Sequence, residues 1–486
     1  MSNNTANVSE NQTTQKAAIT PQAAQSPAAQ PKIPRRILSA LMTSLSAGVV
    51  PRSGAPYVAI GRKDEIEALL SDLEKTAEGG SAMRFIIGRY GSGKSFLIQL
   101  MRGYALERGF ITADADLSTE RRLCGTNGSG LATYRELMRN LASKASPDGG
   151  ALPQIMARWL SDVKTDVAAS GLEPGSEAFT RAVRERIYTT VRNFESSVGG
   201  FDFARVAGMY FDACENGDDE CKSACMRYLR GEFTTKTEAK SQLPGIGAII
   251  DDDNWYDYIK LIARLVSAMG YRGLVVFIDE CVNLYKISNR ISCENNYEKL
   301  LTMFNDTLQG RAENLMIVMG GTPQFLEDRR RGLFSYEALR SRLSDGRFDT
   351  GEYKNMIGPV IRLRRLSDNE LLALILRVTS LHALYYNWEP RIAEGDPERF
   401  LSKCLEAAGA DIMITPREMI RDYISVLNIL YQNPNADFAT VVGTTATLKP
   451  STEDIMRESE NEIDTDKTDA QNERPRSNFT PDDIII

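Results

Sequence analysis

The sequence predicts an α/β fold, a parallel sheet flanked by helices, and three stretches carry that expectation. Phe85-Ile86-Ile87 runs into Gly88-Arg89-Tyr90-Gly91-Ser92-Gly93-Lys94-Ser95, and the helical pattern Phe96–Met101 runs out of it. Leu274–Ile278 is five apolar residues ending in Asp279-Glu280, the pattern of a strand buried on both faces. Leu315–Met319 is another such run, ending in the turn Gly320-Gly321-Thr322-Pro323. Buried strands separated by helical patterns form parallel units.

The glycine-rich stretch is a Gly, four free positions and Gly-Lys-Ser, the phosphate-loop pattern. Its glycines let the backbone turn so that several N–H groups point inward at a phosphate. The helix opening at Lys94-Ser95 adds the positive end of its macrodipole. Lys94 can reach β and γ phosphates, and the Ser95 hydroxyl can ligate Mg²⁺. The bland alternative is a glycine-rich turn that happens to hold a lysine; the rest of the chain weighs against it.

In chain order, residues 1–32 are rich in Ala, Gln, Asn, Ser and Thr with almost no large apolar groups. Such a segment is expected to be disordered. Ile37–Leu45 reads as a short amphipathic helix. In Tyr57–Leu70 the apolar positions 66, 69 and 70 recur at helical spacing, with Gly61-Arg62 at the entry, in a turn suited to close approach by a flat ligand. Phe110–Asp114 reads as a second strand. Helical patterns then fill Gly128–Ala145, Leu152–Lys164, Glu177–Phe194, Asp202–Glu215 and Glu220–Glu232, far more than the dozen residues a crossover between parallel strands needs. This is expected to be a helical insertion. Cys214, Cys221 and Cys225 fall inside it. Zinc wants four ligands and the only histidine, His382, is remote, so small buried hydrophobes are the expectation.

Trp255–Met269 is an amphipathic helix leading into the Leu274–Glu280 strand, whose carboxyl end is where such sheets bind ligands. A carboxylate pair there is costly unless something wants negative charge, and a Mg²⁺–nucleotide supplies that need. Asp279 would hold the metal, mostly through water, and Glu280 would orient or deprotonate the attacking water. After a helix over Asn296–Leu308, the 315–323 strand and turn make Thr322 a candidate phosphate sensor. Gly332–Leu343 puts Arg340 and Arg342 near a helix end, and arginine suits stabilisation of charge on a transferred phosphoryl group. Pro359–Leu363 is a final strand, and helical pattern dominates Asp368–Gln432. There Thr415 is placed as N-cap and Pro416 at the first helical position. Arg417 stands in the first turn, where a cation opposes the macrodipole, which suggests contact with a nucleotide phosphate from a lid.

Composition sets outer bounds. The 486 residues are 42% hydrophobic and 25% charged, which describes an ordinary globular chain of two or three domains. No apolar run approaches the ~20 residues of a membrane span, the start lacks a signal peptide's apolar stretch, and seven scattered cysteines suit a reducing compartment. A cytoplasmic location is expected. The net charge of −7 resides in residues 451–486, so the body is formally neutral and is not a strongly basic nucleic-acid binder. The local patches Arg329–Arg331 and Arg362–Arg365 read as solvated faces or structural ion pairs before they read as DNA contacts. The Ile484–Ile486 terminus behind the acidic tail could dock on a partner or on the body.

In this order, Gly61-Arg62, the phosphate loop, Leu274–Glu280, Gly320–Pro323, Leu339-Arg340-Ser341-Arg342 and Thr415-Pro416-Arg417 resemble the AAA+ plan, nearest its origin-recognition and STAND branches. More narrowly, Gly-Tyr-Arg-Gly-Leu-Val-Val-Phe-Ile-Asp-Glu, Tyr-Glu-Ala-Leu-Arg-Ser-Arg-Leu and Ile-Thr-Pro-Arg-Glu-Met-Ile-Arg-Asp-Tyr are similar to the bacterial ATP-binding family of BREX phage-defence systems. The likeness covers about residues 35–435. The implied organisation is a P-loop NTPase (AAA+-like) domain in two parts, 33–124 and 251–366, a helical insertion at 125–250, a helical lid at 367–435, and tails at 1–32 and 436–486.

The resemblance implies ATP and Mg²⁺ as ligands and a phosphohydrolase that forms homo-oligomers with ATP at subunit junctions. Arg342, or else Arg340, would reach a neighbour's site, and Arg417 would act as lid sensor. The candidate catalytic residues are therefore Glu280, Lys94, Arg342, Arg340 and Thr322. The candidate nucleotide-binding residues are Gly61, Arg62, Gly88, Tyr90, Gly91, Ser92, Gly93, Lys94, Ser95, Phe96 and Arg417, with Ser95 and Asp279 for the metal. Other defence-system proteins are implied partners, and DNA an indirect one. The family's sensor asparagine is absent at Gly320–Thr322. Two functions follow: an ATPase that drives or times a DNA-associated defence complex, which Glu280 favours, or a nucleotide-gated switch with slow turnover. A kinase using the same loop fits the Asp-Glu strand and helical lid less well.

Overall fold

The computed structural model describes residues 33–125, 128–192, 199–345, 355–407 and 415–444. The segment 1–32, expected to be disordered, lies outside them, as do the tail from 445 on and the residues Arg347 and Ile414. The tail expected to be disordered from 436 is corrected in its first part, where Phe438–Thr444 is a helix with Phe438 and Val442 buried.

Five strands form one parallel sheet: β1 (Ser81–Ile87), β2 (Ile111–Asp116), β3 (Leu274–Asp279), β4 (Leu315–Gly321) and β5 (Val360–Arg362), in the order β2-β3-β4-β1-β5. Every residue of β1 and β4 is buried, because helices cover both faces. Alternate side chains serve the two faces. Ile86, Val275, Phe277, Met316 and Val318 face α2 (Lys63–Ala77) and α3 (Lys94–Glu107). Phe85, Ile87, Val276, Ile278, Ile317 and Met319 belong to the larger core on the other face.

That larger core continues without a break into the helices between β2 and β3. These are α4 (Ser129–Arg139), α5 (Leu152–Ala169), α6 (Glu177–Arg192), α7 (Gly200–Asn216), α8 (Asp219–Leu229), α9 (Lys236–Gln242) and α10 (Trp255–Ala268). Trp159, Val183, Phe211, Tyr228 and Trp255 share one apolar cluster with the sheet. Cys225 is buried there, and Cys214 and Cys221 pack against its edge. The helix expected over 128–145 stops at Arg139. Ala142 instead exchanges backbone hydrogen bonds with Thr112 of β2 (2.7 and 3.0 Å), which satisfies groups on the otherwise open edge strand.

Beyond β3 come α11 (Val282–Tyr285), α12 (Arg290–Leu308), α13 (Pro323–Glu327) and α14 (Glu337–Leu343). The C-terminal helical stretch divides into α15 (Asp368–Tyr386), α16 (Asp396–Ala407), α17 (Pro416–Gln432) and α18 (Phe438–Thr444). They form a separate apolar cluster with α1 (Arg35–Ser46): Leu38, Leu41 and Leu45 meet Ile375, Tyr423 and Leu427. Ser367 and Thr415 close capping boxes with Glu370 and Glu418, and Pro416 stands at the first position of α17. His382 is buried in this cluster. The Trp388 indole N–H donates to its Nδ1 at 2.9 Å, so Nε2 carries the proton and faces Asn428 Oδ1 at 3.1 Å. Burial holds this imidazole below its ordinary pKa.

Candidate nucleotide site

Register brings the carboxyl ends of the central strands to one edge. Ile87 pairs with Gly321 of β4 and Arg362 of β5, and Asp279 pairs with Asp116 of β2. The connections that leave β1 and its neighbour β4 run in opposite directions along the sheet, to β2 and to β5, the arrangement at which open α/β sheets bind ligands. The phosphate loop leaves β1 there and enters α3, with Gly91 and Gly93 in the left-handed region (φ 72 and 92°). A side chain at Gly91 would run into the Thr415 methyl, 2.7 Å away. The loop therefore lies directly against the start of α17.

Lys94 Nζ donates to the carbonyls of Gly88 (2.9 Å) and Arg89 (3.1 Å), so the ammonium closes the loop on itself. Burial lowers its pKa, and the charges of Asp279 and Glu280 oppose that shift. The Ser95 hydroxyl donates to Asp279 Oδ2 at 2.7 Å, and the Glu280 backbone N–H donates to Asp279 Oδ1 at 2.8 Å. Glu280 is exposed and left-handed, φ 57°, a conformation a non-glycine residue adopts only when its surroundings impose it. Asn283 supplies part of that constraint: its amide donates to the carbonyls of Leu117 (2.8 Å) and Glu280 (3.2 Å).

Asp116 joins this edge, and sequence reasoning missed it by ending the second strand at Asp114. The alternation Asp114-Ala115-Asp116 was the available signal. Partial burial, and then the charges of Asp279, Glu280 and Asp114, push the Asp116 carboxyl up to about 6 against the pull of Arg121. Carboxylates crowded beside a hydroxyl form an oxygen-rich, electron-dense corner, which suits a hard divalent cation. Among the described residues no group of His, Cys, Asp and Glu forms a complete cage of its own. Mg²⁺ asks for less than a cage, one or two protein oxygens plus phosphates. Ser95 and Asp279 fit the metal in this way.

A cavity of about 560 Å³ opens above the loop, within the range of small-molecule sites. Tyr90–Phe96, Asp279, Glu280 and Thr322 line its polar part, and Val49, Val58, Ile60, Leu366, Leu374 and Ile420 its apolar part, able to take a flat base. Phe96 packs both on the α2/α3 face and on the cluster of C-terminal helices. Arg417 lines the cavity from α17. Thr322 lines it too, its hydroxyl accepting the Phe325 N–H at 3.3 Å as cap of α13.

Arg62 lines the cavity and is buried. Its Nη2 donates to the Ser92 carbonyl of the loop and the Arg364 carbonyl beyond β5, both at 2.7 Å, and Glu65 stands 3.5 Å from Nη1. Arg364 in turn pairs with Glu370 at 2.6 and 3.0 Å. Gly61 abuts that same Glu370. Gly61 and Gly88 are not among the cavity-lining residues. Nor are Arg340, which pairs with Glu337, and Arg342, whose Nη1 donates to Ala338 O at 2.7 Å on its own helix. Of the basic run Arg362–Arg365, Arg362 at the end of β5 is held by Asp345 (2.9 Å) and Glu327.

A family model, that of the BREX system ATP-binding protein BrxC/D, matches residues 33–446. The chain belongs to that family. The match takes in the loop, the Asp279-Glu280 edge, Arg62 and Arg417 together. No curated protein matches the chain. Among the described residues of this BREX-family protein no helix is long and apolar enough to cross a membrane.

Proposed function

We propose that this BREX-family protein is a Mg²⁺-dependent ATPase whose hydrolysis drives or times the assembly or action of a DNA-associated phage-defence complex. The observation carrying the reading is the Ser95–Asp279 hydrogen bond at 2.7 Å, which joins the phosphate loop to the acidic strand end, with Glu280 beside it. A loop that only bound phosphate would have no use for the second acid.

On this reading the loop amides and Lys94 hold the β and γ phosphates, and the apolar wall takes the adenine. Ser95 and Asp279 hold Mg²⁺, which when bound neutralises charge on the phosphate oxygens. Glu280 orients a water in line with the γ phosphorus and accepts its proton as the new P–O bond forms and the bond to ADP breaks. Thr322 senses the terminal phosphate. Arg417 contacts the phosphates from the C-terminal helices, acting as a lid. Arg342, or else Arg340, completes the site of a neighbouring subunit in a homo-oligomer. Both stand outside the cavity of their own chain.

Steady-state ATP hydrolysis by the wild type and Glu280→Gln, with and without DNA, tests this. The variant is expected to lose about 10²-fold or more in rate while still binding ATP. Equal inactivity of both proteins under every condition would sink the ATPase reading and leave the second one: a nucleotide-gated switch or scaffold with slow turnover, in a defence or stress-response operon. That alternative is favoured by one observation, the side-chain-free Gly320-Gly321 where a polar sensor would stand.

A further inference from the structure

Three segments meet where the end of a bound triphosphate would lie: the exits of β3 and β4, and α11. The β4 exit, Gly320-Gly321, offers no side-chain donor. Val282, Asn283 and Lys286 all line the cavity. Their i, i+1, i+4 spacing puts them on one side of a helical turn. Lys286 closes α11 in helical geometry (φ −73°, ψ −6°), its N–H donating to Val282 O at 3.1 Å.

We propose that Lys286 is a further cation of the site beside Lys94 and Arg417, binding the terminal phosphate from α11 within the same chain and so distinguishing triphosphate from diphosphate. The inference rests on the reading of the cavity as an ATP site. The charges favour it. Asp116, Asp279 and Glu280 crowd this edge, and a triphosphate with one Mg²⁺ remains anionic, so its terminal group needs cations besides Lys94. Lysine suits the position because its ammonium is a compact charge on a flexible stem, here exposed at the cavity mouth.

Calorimetric titration of the full chain with Mg–ATPγS and with Mg–ADP, for wild type, Lys286→Ala and Lys286→Arg, tests this. Lys286→Ala is expected to weaken Mg–ATPγS about tenfold or more, as loss of a charged hydrogen bond does. Mg–ADP should change less than about twofold, the residue being a screened charge toward it. Lys286→Arg should recover most of the ATPγS affinity. Equal weakening of both nucleotides, or no effect on either, overturns the inference while leaving the ATP site standing. Failure of the wild type to bind either nucleotide overturns the ATP reading and this inference with it.

Discussion

A methyl group built on Gly320 would stand 2.3 Å from Asp279 Oδ1. The exit of β4 is bare because the carboxylate at the exit of β3 occupies the space its side chain would need. The same contact accounts for the missing sensor side chain at this turn: a larger residue at 320 would push Asp279 off Ser95.

Gly320→Ala is therefore expected to disturb the metal corner before the fold. The sheet position tolerates the backbone of any residue, and the clash falls on a side chain that can move. Expected is a Mg²⁺-dependent loss of affinity for ATP of about tenfold, with little change in thermal midpoint. Fluorescent-nucleotide binding with and without Mg²⁺ reads it; unchanged Mg²⁺ dependence would remove Gly320 and Asp279 from the site.

Asp116 sets a pH dependence. Its folded pKa, about 6, lies above the unfolded value of ~3.9, so between these the folded state binds more protons and stability falls as pH rises. Asp116→Asn abolishes that dependence. The variant is expected to be more stable than wild type at pH 7.5, the advantage vanishing near pH 4. Urea unfolding at both pH values checks this, and an advantage that grows toward pH 4 contradicts it.

Arg62→Ala should cost more than a surface arginine would. It leaves the buried Ser92 carbonyl, the half-buried Arg364 carbonyl and the buried Glu65 carboxylate without their partner, a loss of about 1–3 kcal/mol for each buried group left unsatisfied. Lysine lacks the planar fork that spans two carbonyls, so Arg62→Lys should recover little. Thermal denaturation in the absence of nucleotide is the measurement; a midpoint equal to wild type would show the bridge to be dispensable.

Arg342 and Arg340 do not reach the cavity of their own chain, so an action in trans predicts complementation. Arg342→Ala and Lys94→Ala subunits, each inactive alone, should regain part of the ATPase activity when mixed. The same mixture made with Arg340→Ala decides between the two arginines. Absence of rescue in both mixtures counts against a shared site.

The parts of the site that are contiguous in the chain were legible in the sequence. The loop from Gly88 to Ser95, the Asp279-Glu280 pair and the Thr415-Pro416 cap are each a few adjacent residues whose local chemistry names them. Arg62 was legible as a candidate residue of the site, and it lines the cavity. Its bridge from Ser92 to Arg364 was not, because those partners lie 30 and 302 residues away. Asp116 was missed because its importance comes from register against Asp279 across two strands separated by a long helical stretch. The end of the 128–145 helix at Arg139 was likewise invisible, since a tertiary bridge to Thr112 overrides local helical preference.

By itself, then, the sequence determined that a parallel sheet presents a phosphate loop and an acidic strand end, because short-range periodicity and turn chemistry specify such elements. Only the tertiary structure decided that Gly320 yields its space to Asp279, that Asp116 joins the acids, that α17 closes against Gly91, and that Lys286 stands on the cavity wall. Those relationships depend on strand register and on the packing of helices far apart in the chain, which no local pattern encodes.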